Sequence, residues 1–396
     1  MIRYVPVLRL KAAERYAVRA LSNRIRQSCT PLIEIVPADF LYASNKQNEK
    51  LKRVGKRLDE VDLKHKMRKL KRDILHNFSP GEVFIDFILV DEMKLQTSNG
   101  EHPLSLIANA NSGQQISLLN EDAVIVPTTG LNRSTEYNYA VSNIITRSEG
   151  RACIRLFEKE LFDRDLEQRL MTRIASLGTS PPQVDLIVNF SVRNKATPTL
   201  KTTYNLLPNV KDWRTLTIVS GSYPVDLQKY QRNDVYEIPR TDFTAWSSEI
   251  LSEQTWPRIP DYGDYTLRPP VFKDSSHRPS ASILYTTLSS IWKLYRGELP
   301  SNEGASSAKN QYQAHAKLLC NSKEYFGKTY SMGDSYFDAV KMGTKYGYST
   351  GIIRAGINHH ITVVVNQLAT LSASLTNQSP ASEATEKEQP LLKLHE

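Results

Sequence analysis

The stretch YVPVLRLKAAERYAVRALSNRIRQSCTPLIEIVP, residues 4–37, reads as strand, helix, strand, and the fold follows from it. Val5-Pro6-Val7-Leu8 is a short apolar run. Between Lys11 and Arg26, Ala13, Ala17, Leu21 and Ile25 recur at helical spacing, while Glu14, Arg15, Arg19 and Arg26 fall on other faces, so the spacing predicts one helix. Pro31-Leu32-Ile33-Glu34-Ile35-Val36 then runs without polar alternation, as a parallel strand covered on both faces does. Together they make a βαβ unit.

Working outward, the alternation continues. Apolar runs at Val83–Val90, Ala123–Val126, Ala152–Phe157, Val184–Phe190 and Thr215–Val219 read as further strands. Helical patterns fall near Pro103–Asn109 and at Tyr137–Thr146, Leu161–Leu177 and Leu200–Leu207, with Gly178 placed as a C-terminal stop. The eighth strand has two candidates, Val235–Ile238 and Asp264–Leu267, with a helix at Phe243–Leu251 between them. The later one closes a ring better, having a helix before it and Pro269-Pro270 after it. About eight strand-plus-helix repeats match an α/β (β/α)8 TIM-barrel-like domain, with an open doubly wound sheet as the rival.

Beyond Pro270 the pattern changes. Ala281–Tyr285 and Ile291–Arg296 are spaced like a β-hairpin, and the chain then turns helical. In His359–Leu375, Ile361, Val364, Leu368, Leu371 and Leu375 share one face, which should dock on the body. The expected organisation is a barrel at 1–270, a hairpin and helical C-terminal region packed on it at 271–376, and a disordered tail at 377–396, where apolar surface is too scarce to fold.

Composition bounds the function classes. The 396 residues are 40% hydrophobic and 23% charged, ordinary for a soluble globular protein. Cys29, Cys153 and Cys320 are odd in number and far apart, which fits a reducing cytoplasm and supplies no metal or redox pair. No apolar run reaches the length of a membrane span or an export signal. The formal net charge is +9, and residues 50–75 carry most of it, with eleven Lys or Arg against four acids. Within that segment Lys64, Lys66, Arg68, Lys69, Lys71 and Arg72 are candidates for contacting nucleic-acid phosphates or an acidic partner. A solvated helix on the barrel's outside explains the same charges. Aromatics are missing from the segment, so base stacking has no platform.

For chemistry, a barrel places its polar groups at the C-terminal ends of its strands. The candidates are Lys11, Glu34, Asp86, Arg155, Asp185 and Asp264. Glu34 and Asp86 stand among Ile, Phe and Leu, so they need a cation: Lys11, Arg155 or a divalent ion, for which oxygen ligands favour magnesium or manganese. A structural ion-pair cluster filling the barrel would place the same residues there. His359 and His360 project about 100° apart on a helix and do not share one ion; with Asn358 read as the N-cap, they serve capping and packing. Gly327-Lys328-Thr329 resembles the end of a P-loop, but Ser322 stands where its first glycine belongs. Trp292, Tyr285 and Tyr295 are candidate interface anchors.

Tyr4-Val5-Pro6-Val7-Leu8, Pro31-Leu32-Ile33-Glu34-Ile35, Gly263-Asp264-Tyr265 and above all Gly356-Ile357-Asn358-His359-His360 resemble the Beta-protein family of prophages and satellite phages. The resemblance runs to about residue 370 and brings no catalytic site with it. It implies a role beside the Gop killer protein, whose lethal effect a Beta protein is thought to prevent, within a phage-borne locus acting against competing phages. Two readings follow: an antitoxin-like interaction protein, or a barrel enzyme with an acidic, metal-assisted site acting on a phosphorylated or nucleic-acid substrate.

Overall fold

The computed structural model describes residues 1–37, 60–78, 81–97, 99–109, 123–146, 150–194, 197–252, 256–272, 280–301 and 307–377. Eight parallel strands form a closed barrel: β1 (Tyr4–Leu8), β2 (Leu32–Glu34), β3 (Gly81–Asp86), β4 (Ala123–Thr129), β5 (Ala152–Phe157), β6 (Val184–Val192), β7 (Thr215–Gly221) and β9 (Asp261–Asp264). The fold is therefore the TIM-barrel-like one, and closure rules out the open sheet. The seam forms where Tyr4 to Pro6 of β1 pair with Tyr262 to Asp264 of β9. The later candidate thus closes the ring, three residues earlier than expected, because Thr266 turns into left-handed backbone at φ 54°.

Side-chain alternation divides the barrel into inside and outside. Val5, Val7, Leu32, Phe84, Val126, Cys153, Ile187, Val219 and Tyr265, drawn from every strand or its immediate end, make one buried lumen cluster. Tyr4, Leu8, Ile33, Ile85, Ile154, Leu186, Ile218 and Tyr262, of opposite parity, pack in the layer beneath the helices. At the seam the lumen has no room for a side chain. A Cβ on Gly263 would stand 2.6 Å from Val219 Cγ2 and 2.7 Å from the Val5 carbonyl oxygen.

The expected helix after β1 is two helices, Ala12–Arg19 and Asn23–Gln27. Ser22 interrupts it: its hydroxyl accepts from the Ile25 N–H and caps the second helix. The basic segment forms the helix Glu60–Phe78, with Leu63, Met67, Leu70, Ile74 and Phe78 buried. Its residues 50–59 lie outside the described residues, as does the tail from 378. No described helix is long and apolar enough to cross a membrane.

The hairpin is present as β10 (Ile283–Thr286) and β11 (Ile291–Arg296), and it gains a third strand. That strand is β8 (Asp234–Pro239), the other candidate for the eighth barrel position, here antiparallel to β11. Trp292, Tyr285 and Tyr295 are 1%, 0% and 3% exposed, so they are core residues and not interface anchors. Helices Ala308–Cys320, Met332–Lys341 and Ser349–Asn377 follow. Because the last begins at Ser349, Asn358 lies inside it and is not its N-cap.

Candidate functional site at the barrel mouth

Above the apolar lumen, the next inward positions of the strands are polar. Arg155, on β5, stands at their centre and is 1% exposed. Its Nη2 donates to Glu34 Oε1 at 2.8 Å and to the Tyr265 hydroxyl at 3.0 Å, and its Nη1 donates to Asp86 Oδ2 at 2.9 Å. Each carboxylate has a second cation. Arg9 Nε lies 3.5 Å from Glu34 Oε2, and Arg133 Nη2 lies 3.3 Å from Asp86. Asp86 also accepts the Ile88 N–H at 2.9 Å. Asn189 Nδ2 donates to the Tyr265 hydroxyl at 2.8 Å, closing the layer. Burial opposes the charge on Arg155, but Tyr265, Glu34 and Asp86 outweigh it and hold its pKa well above the ordinary value.

This layer floors a cavity of about 620 Å³, the size of a small-molecule site. Glu34, Arg133, Arg155, Asn189 and Tyr265 line its base, and Glu92, Glu158, Lys159 and Phe162 line its rim. Arg155 lies 5.1 Å from the Phe157 ring centre. Glu160 accepts from Asn132 Nδ2 and the Phe157 N–H, both at 2.7 Å, which fixes the wall beside Lys159. Three residues just beyond the mouth side chains have left-handed backbone: Leu10 after Arg9, Ser191 after Asn189, and Thr266 after Tyr265. For the β-branched Thr266 that conformation is a true outlier, and such strain collects at working sites.

The candidates divide accordingly. Glu34, Asp86 and Arg155 come together at the mouth. Lys11 does not join them: it is exposed at the start of Ala12–Arg19, its N–H donating to Glu14, and Arg9 takes the place expected for it. Asp185 is near the N-terminal end of β6, on the barrel floor, where Arg214 Nε donates to it at 3.1 Å while Arg214 Nη1 and Nη2 donate to the two Glu82 oxygens at 2.9 Å. Asp264 ends β9 with outward parity and faces the C-terminal helix. Arg155 fills the space between Glu34 and Asp86, so a guanidinium and not a divalent cation neutralises them. Among the described residues no group of three or more His, Cys, Asp or Glu is placed to hold a metal.

The Gly-x-Asn-His-His motif builds a joint behind the mouth. A Cβ on Gly356 would meet Leu267 Cδ1 at 2.7 Å and the Leu284 carbonyl at 3.1 Å, so glycine lets the helix touch β10. Asn358 accepts from the Gly333 N–H and donates to the Ala17 carbonyl, both at 3.0 Å. His359 lies 2.8 Å from Asp334 through Nδ1 and 2.8 Å from the Thr286 carbonyl through Nε2, stacked on Tyr285. His360 meets the Thr286 hydroxyl at 2.8 Å through Nδ1 and Asp264 at 3.1 Å through Nε2. Asp264 further accepts from the Tyr4 hydroxyl at 2.6 Å. Burial would raise the Asp264 pKa, but His360, Arg240 and Tyr4 overcome it and pull it down to about 2.

Fold and site define a closed parallel α/β barrel with an ion-paired mouth, latched by a long C-terminal helix. The sequence profile of the Beta protein family matches residues 4–366, and the chain belongs to that family. No curated protein and no solved structure matches it.

Proposed function

We propose that this Beta protein acts by binding, as an antitoxin-like partner that prevents host killing by a Gop-type toxin, in the cytoplasm of a bacterium carrying a prophage or satellite-phage defence locus. The observation that supports binding over turnover is the state of the mouth carboxylates. Glu34 and Asp86 are each tied to two guanidinium groups, so both carboxylates are already engaged within the protein. Such a layer makes a rigid polar floor. The rim above it offers the mixed chemistry of a recognition surface: Glu92 and Lys159, exposed, beside Phe162 at 58% exposure.

The position of the cavity, at the strand C-terminal ends, favours a second reading, an enzyme acting on a phosphorylated or nucleic-acid substrate. Co-expression with a Gop-type killer, scoring viability and co-purification together, separates the two. Under the binding reading, Glu92→Lys with Lys159→Glu and Phe162→Ala loses protection and co-purification in step. If Glu34→Gln with Asp86→Asn abolishes protection while the folded protein still co-purifies with the killer, binding alone is insufficient and the enzyme reading replaces it.

A further inference from the structure

The helix Glu60–Phe78 has one apolar face and one basic face, and the mouth uses neither. Leu63, Met67, Leu70, Ile74 and Phe78 turn inward, while Lys64, Arg68, Lys69 and Arg72 are exposed. Lys71 is different: it is only 5% exposed, so it belongs to the packed side. Lys64, Arg68 and Arg72 follow one another at i, i+4 and i+8, about 6 Å apart along the axis, and Lys69 flanks the row. Asp73, next to Arg72, is bound by Arg15 of the neighbouring helix.

A regular line of cations suits a polymer of regularly spaced charge. A protein-docking face would carry aromatic or aliphatic anchors, and the outward positions between 64 and 76 supply only Lys, Arg and His. Single-stranded nucleic acid would need stacking rings, which are also missing there. We infer that this helix face binds the phosphate backbone of double-stranded nucleic acid, without base specificity, independently of the barrel mouth.

Four phosphate contacts predict a slope of about −3.6 for log affinity against log salt, a fall of about 150-fold between 50 and 200 mM. The test is fluorescence anisotropy of a labelled 20-bp duplex of arbitrary sequence titrated with the full chain across that range. Arg68→Gln with Lys69→Gln and Arg72→Gln, each a good helix former on an exposed face, should flatten the slope to about −0.9 and weaken binding at least tenfold at 50 mM, with an unchanged melting temperature. Equal affinity of the triple variant and the parent overturns the proposal. So does a preference for poly-glutamate or for single-stranded DNA over the duplex.

Discussion

His359 and His360 are adjacent in sequence yet bind carboxylates from different parts of the chain, Asp334 at 2.8 Å and Asp264 at 3.1 Å. One carboxylate belongs to a helix of the C-terminal region and the other to the strand that closes the ring. The turn of a helix between neighbouring residues makes this possible, each ring leaving the axis in its own direction. Two adjacent histidines read in sequence as capping and packing residues are thus a two-sided latch. Replacing Asp334 by Asn weakens an interaction to a fully buried histidine ring, while replacing His359 by Phe leaves Asp334 buried without it. Both variants should lose about 3–5 kcal/mol, read as a fall in the urea midpoint; an unchanged midpoint contradicts the latch.

At the mouth, Arg155→Met should cost a similar amount, because it leaves buried Glu34 and Asp86 with only the longer pairs to Arg9 and Arg133. Adding Glu34→Gln and Asp86→Asn to Arg155→Met should recover part of the loss. A double-mutant cycle by chemical denaturation measures the coupling, and simple additivity of the three changes argues against a shared network.

The seam predicts a steric effect with no polar component. Gly263→Ala sets a methyl group against Val219 and the Val5 carbonyl, 2.6 and 2.7 Å away, and should lower stability by about 1–3 kcal/mol. Val219→Ala in the same chain makes room on one side and should restore some of the loss in a thermal melt.

Acid should loosen the fold before the carboxylates titrate. His102 accepts the Leu104 N–H at 3.1 Å through Nδ1, and burial, ahead of nearby Arg133, lowers its pKa from 6.5 to about 4. Burial also lowers the pKa of His360. Both rings are depressed in the fold, so the unfolded chain binds more protons below pH 6.5, and stability present above that pH drains away as pH falls. For His102 the loss between pH 6.5 and 4 is about 3 kcal/mol. Asp264 extends the decline from about 3.8 towards 2. His102→Asn, which keeps an acceptor for Leu104, should flatten the stability curve between pH 6.5 and 4; an unaltered curve assigns the slope elsewhere.

Most of the ring was legible because strands buried on both faces leave long apolar runs, and an acid inside such a run announces itself. That is how Glu34 and Asp86 stand out. The remaining mouth residues needed parity. Counting by twos along Val5, Val7 and Arg9 points Arg9 inward, and counting from Gly263 points Tyr265 inward and Asp264 out; a slip of one residue exchanges the two faces. Asp264 has the outward parity, Lys11 lies past the left-handed turn at Leu10 at the start of the next helix, and Asp185 stands at the start of its strand and not at its end. Arg133 follows a loop turn and Asn189 sits in an unbroken apolar run with no charge to mark it, so periodicity reveals neither. The Asn358 capping error came from starting the last helix at the motif, when Ser349 begins it.

The latch also sets an order of events during synthesis. Tyr4 is made 260 positions before the aspartate that its hydroxyl bonds, and that aspartate waits for His360, a further 96 positions on. Contacts of such long range are entropically late to form. A nascent chain stalled before residue 360 therefore holds an unlatched ring, and only ribosomes that finish the last helix release a locked one.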